Sequence, residues 1–155
     1  MKIFLATDHA GFKTKEEVKS HLSSLGYEVE DCGAYELNPD DDYPDFISKA
    51  AEEVSKEPDT NRAVIFGGSG QGEAIVANKF KGVRAAVFYG GEDKGKIVTL
   101  SREHNDANII SLGARFITIE EAKRIVEIWL DEPFSGEDRH KRRIEKITKI
   151  ENEHD

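Results

Sequence analysis

Short apolar runs alternate with longer amphipathic stretches along the whole chain, and that alternation predicts its elements. "KIFLAT" (Lys2–Thr7) reads as a first strand. "GFKTKEEVKSHLSSLG" then sets Phe12, Val18, Leu22 and Leu25 near one helical face and stops at Gly26. "YEVEDCG" predicts a second strand, and an Asp-, Asn- and Pro-rich loop, "AYELNPDDDYPD", leads to a helix over about residues 46–55. "RAVIFG" is a third strand, buried because its apolar run is continuous. "GEAIVANKF" is a helix and "RAAVFYG" a fourth strand; "IVTLSREHND" reads as a helix end and "NIISLG" as a fifth strand. "TIEEAKRIVEIWLDEPF" carries Ala122, Ile125, Val126 and Trp129 at helical spacing, with Thr118 as N-cap and Glu121 three residues on. The tail, "GEDRHKRRIEKITKIENEHD", is a charged helix with Ile144, Ile147 and Ile150 along one side.

Strands alternating with helices predict a single doubly wound α/β domain over residues 1–155. Its five-stranded parallel sheet is covered on both faces, in the flavodoxin-like or Rossmann-like manner. A finished core of that kind leaves little to bury the terminal isoleucines, so the C-terminal helix is expected to pack on a partner subunit. Ligands in such sheets collect at the carboxyl ends of the strands. "ATDHAG" ends the first strand, "GGSGQGE" ends the third and "REHNDAN" precedes the fifth, and all three are expected at the site.

Composition narrows the function. The 155 residues are 34% charged and 37% hydrophobic, a balance of folded globular chains. A net charge of −9 argues against nucleic acid as the main partner but leaves room for a small anion held by a local basic cluster. Cys32 is the single cysteine, which excludes an internal disulfide and a Cys-rich metal site. The apolar start before Asp8 is too short for a signal peptide or a membrane span, so a cytoplasmic location is expected.

The chemistry concentrates around "GGSGQGE". A P-loop needs Gly-Lys-Ser/Thr, but Gly72 is followed by Glu73 and Ala74; the dinucleotide and hydrolase fingerprints fail on Glu73 and Gln71. Closely spaced glycines still expose backbone N–H groups to a ligand oxygen at a helix start. Glu73 is either a first-turn carboxylate favoured by the helix dipole or a base beside oxyanion donors, a pairing that suits proton abstraction next to a carbonyl. Asp8 and His9 are either a cap and a surface histidine or ligands for a hydroxyl or an anion. His104 and Asn105 stand as an acid/base candidate and its neighbour, against a solvated helix end. No pair of histidines at helical spacing has a third ligand in reach, so no metal is expected. Arg139 and Arg143 share a helix face and can clamp one phosphate, or form part of a solvated charged face.

Taken in order, "TDHAG", "DYPDF", "GGSGQGEAIVANKF", "VRAAV", "SREHNDAN", "LGAR" and "DRHKRRI" resemble ribose-5-phosphate isomerase type B over essentially the whole chain. That family includes galactose-6-phosphate and allose-6-phosphate isomerases. The resemblance implies interconversion of ribose 5-phosphate and ribulose 5-phosphate through an enediolate, without metal or organic cofactor. It also implies a site built between two subunits of a homodimer or a dimer of dimers. One branch of the family places a cysteine base immediately before the loop, where this chain has Gly67; the other uses a glutamate at the position of Glu73. By the same resemblance Ser69 assists the enediolate oxygen, His104 opens the sugar ring and Asp8 helps. Asn105 and the loop Gly68, Ser69, Gly70, Gln71 and Gly72 contact the sugar. His9, Arg115, Arg139 and Arg143 bind the phosphate or the sugar end, some from the second subunit. The loop over residues 90–96 is longer than in many members and bears on the choice of sugar or only on the surface. A six-carbon sugar phosphate as substrate and a non-catalytic sugar-phosphate-binding module are the alternatives. A phosphotransfer receiver would need an acidic pair at the first strand end and a lysine after the last strand, and Asp8–His9 and "LGAR" supply neither.

Overall fold

Both sets of alternating side chains in the first strand are apolar, which fixes a sheet buried on two faces. The structure, a computed structural model, describes residues 1–93 and 95–154. Its elements are β1 (Lys2–Thr7), a 3₁₀ turn (His9–Gly11), α1 (Phe12–Ser24), β2 (Glu28–Asp31), α2 (Pro44–Lys56), β3 (Arg62–Gly67) and α3 (Gln71–Ala77). They continue with β4 (Ala85–Phe88), α4 (Lys96–Glu103), β5 (Ile109–Gly113), α5 (Ile119–Asp131) and α6 (Asp138–Glu153). All strand pairs are parallel, in the order β2-β1-β3-β5-β4. Ile3, Leu5, Val64, Phe66, Ile110 and Leu112 pack under α1, α4 and α5, with Trp129 fully buried among them. Phe4, Ala6, Ala63, Ile65 and Ile109 pack under α2 and α3 on the other face.

The predicted architecture holds, with local corrections. Thr118 caps α5, its hydroxyl accepting from Glu121 N–H at 3.1 Å, and Ala122, Ile125, Val126 and Trp129 are all buried. On α1, Val18 and Leu22 are core, but Phe12 is only half-buried and Leu25 is exposed beyond the helix end. The buried position in their place is Lys15, fully enclosed, whose ammonium donates to Asp31 Oδ1 and to the Ala34 carbonyl, each at 2.6 Å. "IVTLSREHND" is most of a helix, α4, rather than a helix end.

Strand order places the site. The chain leaves β1 outward to β2 and then returns to β3 on β1's other side, so a crevice opens beyond the carboxyl ends of β1 and β3. Lys15 buttresses that rim. Asp31, held by Lys15, Lys19 at 2.6 Å and the Gly33 N–H at 2.9 Å, fixes the segment whose Gly33 and Ala34 backbone pairs with Thr7. Thr7 immediately precedes Asp8.

Burial alone would push the Asp31 carboxyl up, but the hydrogen bonds from Lys15, Lys19 and Gly33 outweigh it and hold it below its ordinary 3.8. A depressed folded-state pKa gives stabilisation that is present above 3.8 and lost as pH falls through the folded value. Asp31→Asn is therefore expected to cost about 2–3 kcal/mol at pH 7, because buried Lys15 then keeps only the more exposed Glu16 carboxylate, at 3.2 Å, as counter-charge. Urea unfolding at pH 7 and pH 3 reads this, with a smaller difference at the lower pH.

Candidate active site

β3 ends at Gly67 and the chain turns through Gly68, Ser69 and Gly70 into α3. Gly70 has φ 78°, a left-handed conformation, and its carbonyl accepts from the buried Ser111 hydroxyl of β5 at 2.6 Å. A Cβ there would stand 3.0 Å from the Leu112 carbonyl carbon, so both backbone shape and space require glycine. Ala114 and Arg115 N–H donate to the carbonyls of Gly67 and Gly68 at 2.8 and 3.1 Å. Planar trans peptides then turn the N–H groups of Gly68 and Ser69 the other way, across the loop.

Glu73 lies in the first turn of α3 and is buried, 5% exposed. Its carboxylate folds back over Gly67 so closely that a Cβ on that glycine would overlap it. Burial raises the Glu73 pKa above 4.5; its own backbone N–H opposes the rise and the nearby Asp8 charge adds to it. The helix dipole does not win here. A carboxylate that is desolvated and backed by a second negative charge is a stronger base than an exposed one.

Around this pair stand groups from three other loops. Asp8 is buried at the end of β1, its Oδ1 accepting from Ala10 N–H at 2.9 Å as the cap of the 3₁₀ turn. His9 beside it donates from its backbone N–H (3.0 Å) and shares an Nδ1 contact (2.7 Å) with Asp41 Oδ1. The Arg115 guanidinium lies against Gly68, where a Cβ would meet its Nη1 at 3.2 Å. The Tyr43 hydroxyl lies against Gly72 in the same sense, at 2.8 Å. Gln71 is exposed beside the loop, and its N–H donates to the Ser69 hydroxyl at 3.4 Å. Asp8, His9 and Asp41 bring polar side-chain atoms within 4.8 Å of one another. Two of those atoms already face each other in the His9–Asp41 contact.

His104, Asn105, Arg139 and Arg143 do not join this group. They precede β5 or sit on α6, whereas the glycine loop meets β5 at its other end, since Gly67 pairs with Gly113. About 13 Å of strand separates the two ends. The expectation that "REHNDAN" belongs to the same rim is corrected: a segment that precedes a parallel strand lies at the sheet's amino edge. His104 caps α4 and its ring stacks on buried His140 of α6, centroids 4.3 Å apart and planes 13° from parallel. Burial, then His104, then Arg139 hold the His140 pKa below 6.5. Arg84 Nε donates to the carbonyls of Asn105 and Asp106 at 3.1 and 3.0 Å. The Asp106 carboxylate, on a residue with φ 45°, bridges Arg84 (3.2 Å) and Arg102 (2.7 Å). Arg139 and Arg143 are exposed, and Arg139 Nε donates to Glu137 at 2.8 Å.

Sequence reasoning missed Asp41, Tyr43, Ser111 and His140. "DYPDF" and "DRHKRRI" flagged their neighbourhoods, but only the folded contacts single out the residues. The loop over residues 90–96 includes Lys94, which lies outside the described residues; a Cβ on Gly90 would meet Ile117 and one on Gly95 would meet Ile128 of α5. No helix among the described residues is long and apolar enough to cross a membrane.

Comparison with known proteins gives the chain its family. The profile of the family described as Ribose/Galactose Isomerase matches residues 3–147. Ribose-5-phosphate isomerase B of Mycolicibacterium paratuberculosis is 40% identical over 99% of this chain and 94% of its own length. The Escherichia coli K12 protein of the same name is 39% identical over 97% of this chain and 96% of its own. Among solved structures, ribose-5-phosphate isomerase B of Mycoplasma genitalium with bound ribulose-5-phosphate superposes with a TM-score of 0.93 at 38% identity, covering 98% of this chain and 97% of the other. The Clostridium thermocellum enzyme gives 0.91 at 42% identity, covering both chains completely. On a full-length match of sequence and fold, this chain belongs to the ribose/galactose isomerase family.

Proposed function

We propose that this chain is an aldose–ketose isomerase that interconverts ribose 5-phosphate and ribulose 5-phosphate, with Glu73 as the base. The reading rests on one observation, a buried carboxylate with a raised pKa lodged over side-chain-free Gly67 at the mouth of an N–H-lined loop. Glu73 takes the proton from C2 of the open-chain aldose and returns it to C1, while the hydroxyl proton moves between O1 and O2. The loop N–H groups and the Ser69 hydroxyl hold the enediolate oxygen between the two transfers. His9 and Arg115 bind the anionic or hydroxylated end of the sugar, away from Glu73, so that phosphate binding positions the reacting carbons without bringing like charges together.

The ring-opening acid/base, His104, and the contacts from Asn105, Arg139 and Arg143 come from a second copy of the chain. Supporting this are their separation from Glu73 within one chain and the apolar surface left exposed by Ile75, Ile97, Ile147 and Ile150. β4, an outer strand of the sheet, lies beside that surface. Two copies related by a two-fold axis make two such sites.

Glu73→Gln is expected to lower kcat by about 10²–10⁴-fold, the usual worth of a general base. Because the folded-state pKa of Glu73 is raised, its burial costs stability above 4.5 and nothing once both states are protonated. The same variant should therefore melt roughly 2–4 °C higher at pH 7.5, with the gain gone at pH 4. Full activity in Glu73→Gln would remove it as the base.

The space over Gly67 gives a second expectation. Gly67→Cys alone should destabilise by about 1–3 kcal/mol through overlap with Glu73. Combined with Glu73→Ala, it should fold normally and recover part of the activity that Glu73→Ala loses, the thiolate reaching the same substrate carbon. No recovery would mean that the two positions do not address one point.

Site sharing is tested by mixing. Glu73→Gln and His104→Ala, each nearly inactive alone, should regain about a quarter of wild-type activity after random subunit exchange, since half the dimers then carry one intact site of two. A site confined to one chain gives no recovery. Native mass spectrometry, with one variant ¹⁵N-labelled, follows the exchange.

A further inference from the structure

The contact between His9 and Asp41 fixes more than a loop. Asp41 Oδ1 accepts from both the His9 backbone N–H, at 3.0 Å, and the ring at Nδ1, at 2.7 Å. Two donors converging on one oxygen fix the ring's position. The Asp41 side chain is only 8% exposed, whereas that of His9 is 30% exposed and keeps an edge open to a ligand. Asp41 Oδ2 is buried with no hydrogen-bond partner in the structure. A desolvated carboxylate with one free oxygen favours a full positive charge on its neighbour over a neutral ring.

Protonation sets what the open edge does. With Nδ1–H directed at Asp41, a neutral ring would present the bare lone pair of Nε2, which repels an anionic oxygen. Only the imidazolium donates to Asp41 and to an anion at once. We propose that Asp41 is a positioning residue that holds His9 as an imidazolium with Nε2–H directed at the phosphate end of the substrate.

The charged groups facing His9 are Asp41 from the loop before α2, Asp8 at the end of β1, 4.0 Å away, and Arg115 after β5. The hydrogen bond to Asp41 is the main influence raising the His9 pKa above 6.5, Asp8 adds to it, and burial and Arg115 oppose it. Arg115 disfavours a charge on His9; the Asp41 carboxylate offsets this and lets both cations stand at one anion. Binding of the phosphate group therefore persists above pH 6.5 and weakens as pH rises through the His9 value.

The proposal rests on the isomerase reading only for the identity of the ligand, so its test does not depend on turnover. Inorganic phosphate serves as probe, with the His9 ring followed by long-range ¹H–¹⁵N NMR in the wild type, Asp41→Asn and Asp41→Ala. The wild-type ring should titrate above 6.5, with Nδ1 keeping its proton in the neutral form. Asp41→Asn, which retains shape and loses charge, should lower that titration and weaken phosphate binding at pH 7.5 by about tenfold. For ribose 5-phosphate it should raise KM by a similar factor and leave kcat within about twofold. In a His9→Gln background Asp41→Asn should have no further effect on phosphate binding. An unchanged His9 titration in Asp41→Asn would overturn the proposal, as would a neutral wild-type ring protonated at Nε2 or an equal loss of binding in the His9→Gln background. Phosphate binding with the expected His9 shift but no turnover of ribose 5-phosphate would sink the isomerase reading and leave the role of Asp41 standing.

Discussion

The Glu73 carboxylate packed on the bare backbone of Gly67 is the constraint from which the rest of the site follows. Any side chain at the end of β3 would expel the carboxylate, so the strand must finish on glycine. The chain then has to turn within three residues to bring position 73 back over position 67. That turn requires the left-handed backbone of Gly70, which the Ser111 hydroxyl of the neighbouring strand holds in place. The same geometry that hides the carboxylate from water raises its basicity, and it leaves the loop N–H groups unobstructed by side chains. The proposed base and oxyanion donors are thus two results of one packing arrangement.

Charge is ordered outward from that point. Glu73 and Asp8 are negative and buried, His9 lies beyond them, and Arg115 and Asp41 flank His9. In the proposed mechanism two neighbouring carboxylates keep a proton acceptor poised to act, while His9 and Arg115 stand where an anion can be bound without facing Glu73. The overall −9 says little about this. A phosphate responds to the few charges within a Debye length of about 10 Å.

Continuous apolar runs made the sheet legible, because a strand buried on both faces has no polar register to confuse. The amphipathic spacing of α5 and its Thr118 cap were equally readable, being local. Glu73 stood out because a carboxylate is unexpected where a phosphate loop would place a lysine. Other residues were illegible for a physical reason. Lys15 is buried because Asp31 at the end of β2 and the Ala34 carbonyl in the segment after it reach its ammonium, a pairing that α1 alone does not reveal, so helical periodicity favoured Phe12 and Leu25 instead. Asp41 was one aspartate among four in an irregular loop until the fold set it against His9. The misplacement of His104 had a different origin: proximity to a strand was read without regard to which end of the strand it was.

That last point underlies the proposal that one chain does not make the whole site. In a parallel sheet every carboxyl end lies on one rim, so groups that precede a strand are excluded from the crevice however close they are in sequence. His104 and Asn105 precede β5, and the Arg84–Asp106–Arg102 network holds their turn firmly at the amino edge. His140 binds the start of α6 to the same edge by stacking on His104, which carries Arg139 and Arg143 along with it. These groups are too well fixed to swing across the sheet to Glu73. The proposed catalytic set needs both edges and so calls for two molecules side by side, and the isoleucines left bare on α6 and beside β4 offer an apolar surface for that.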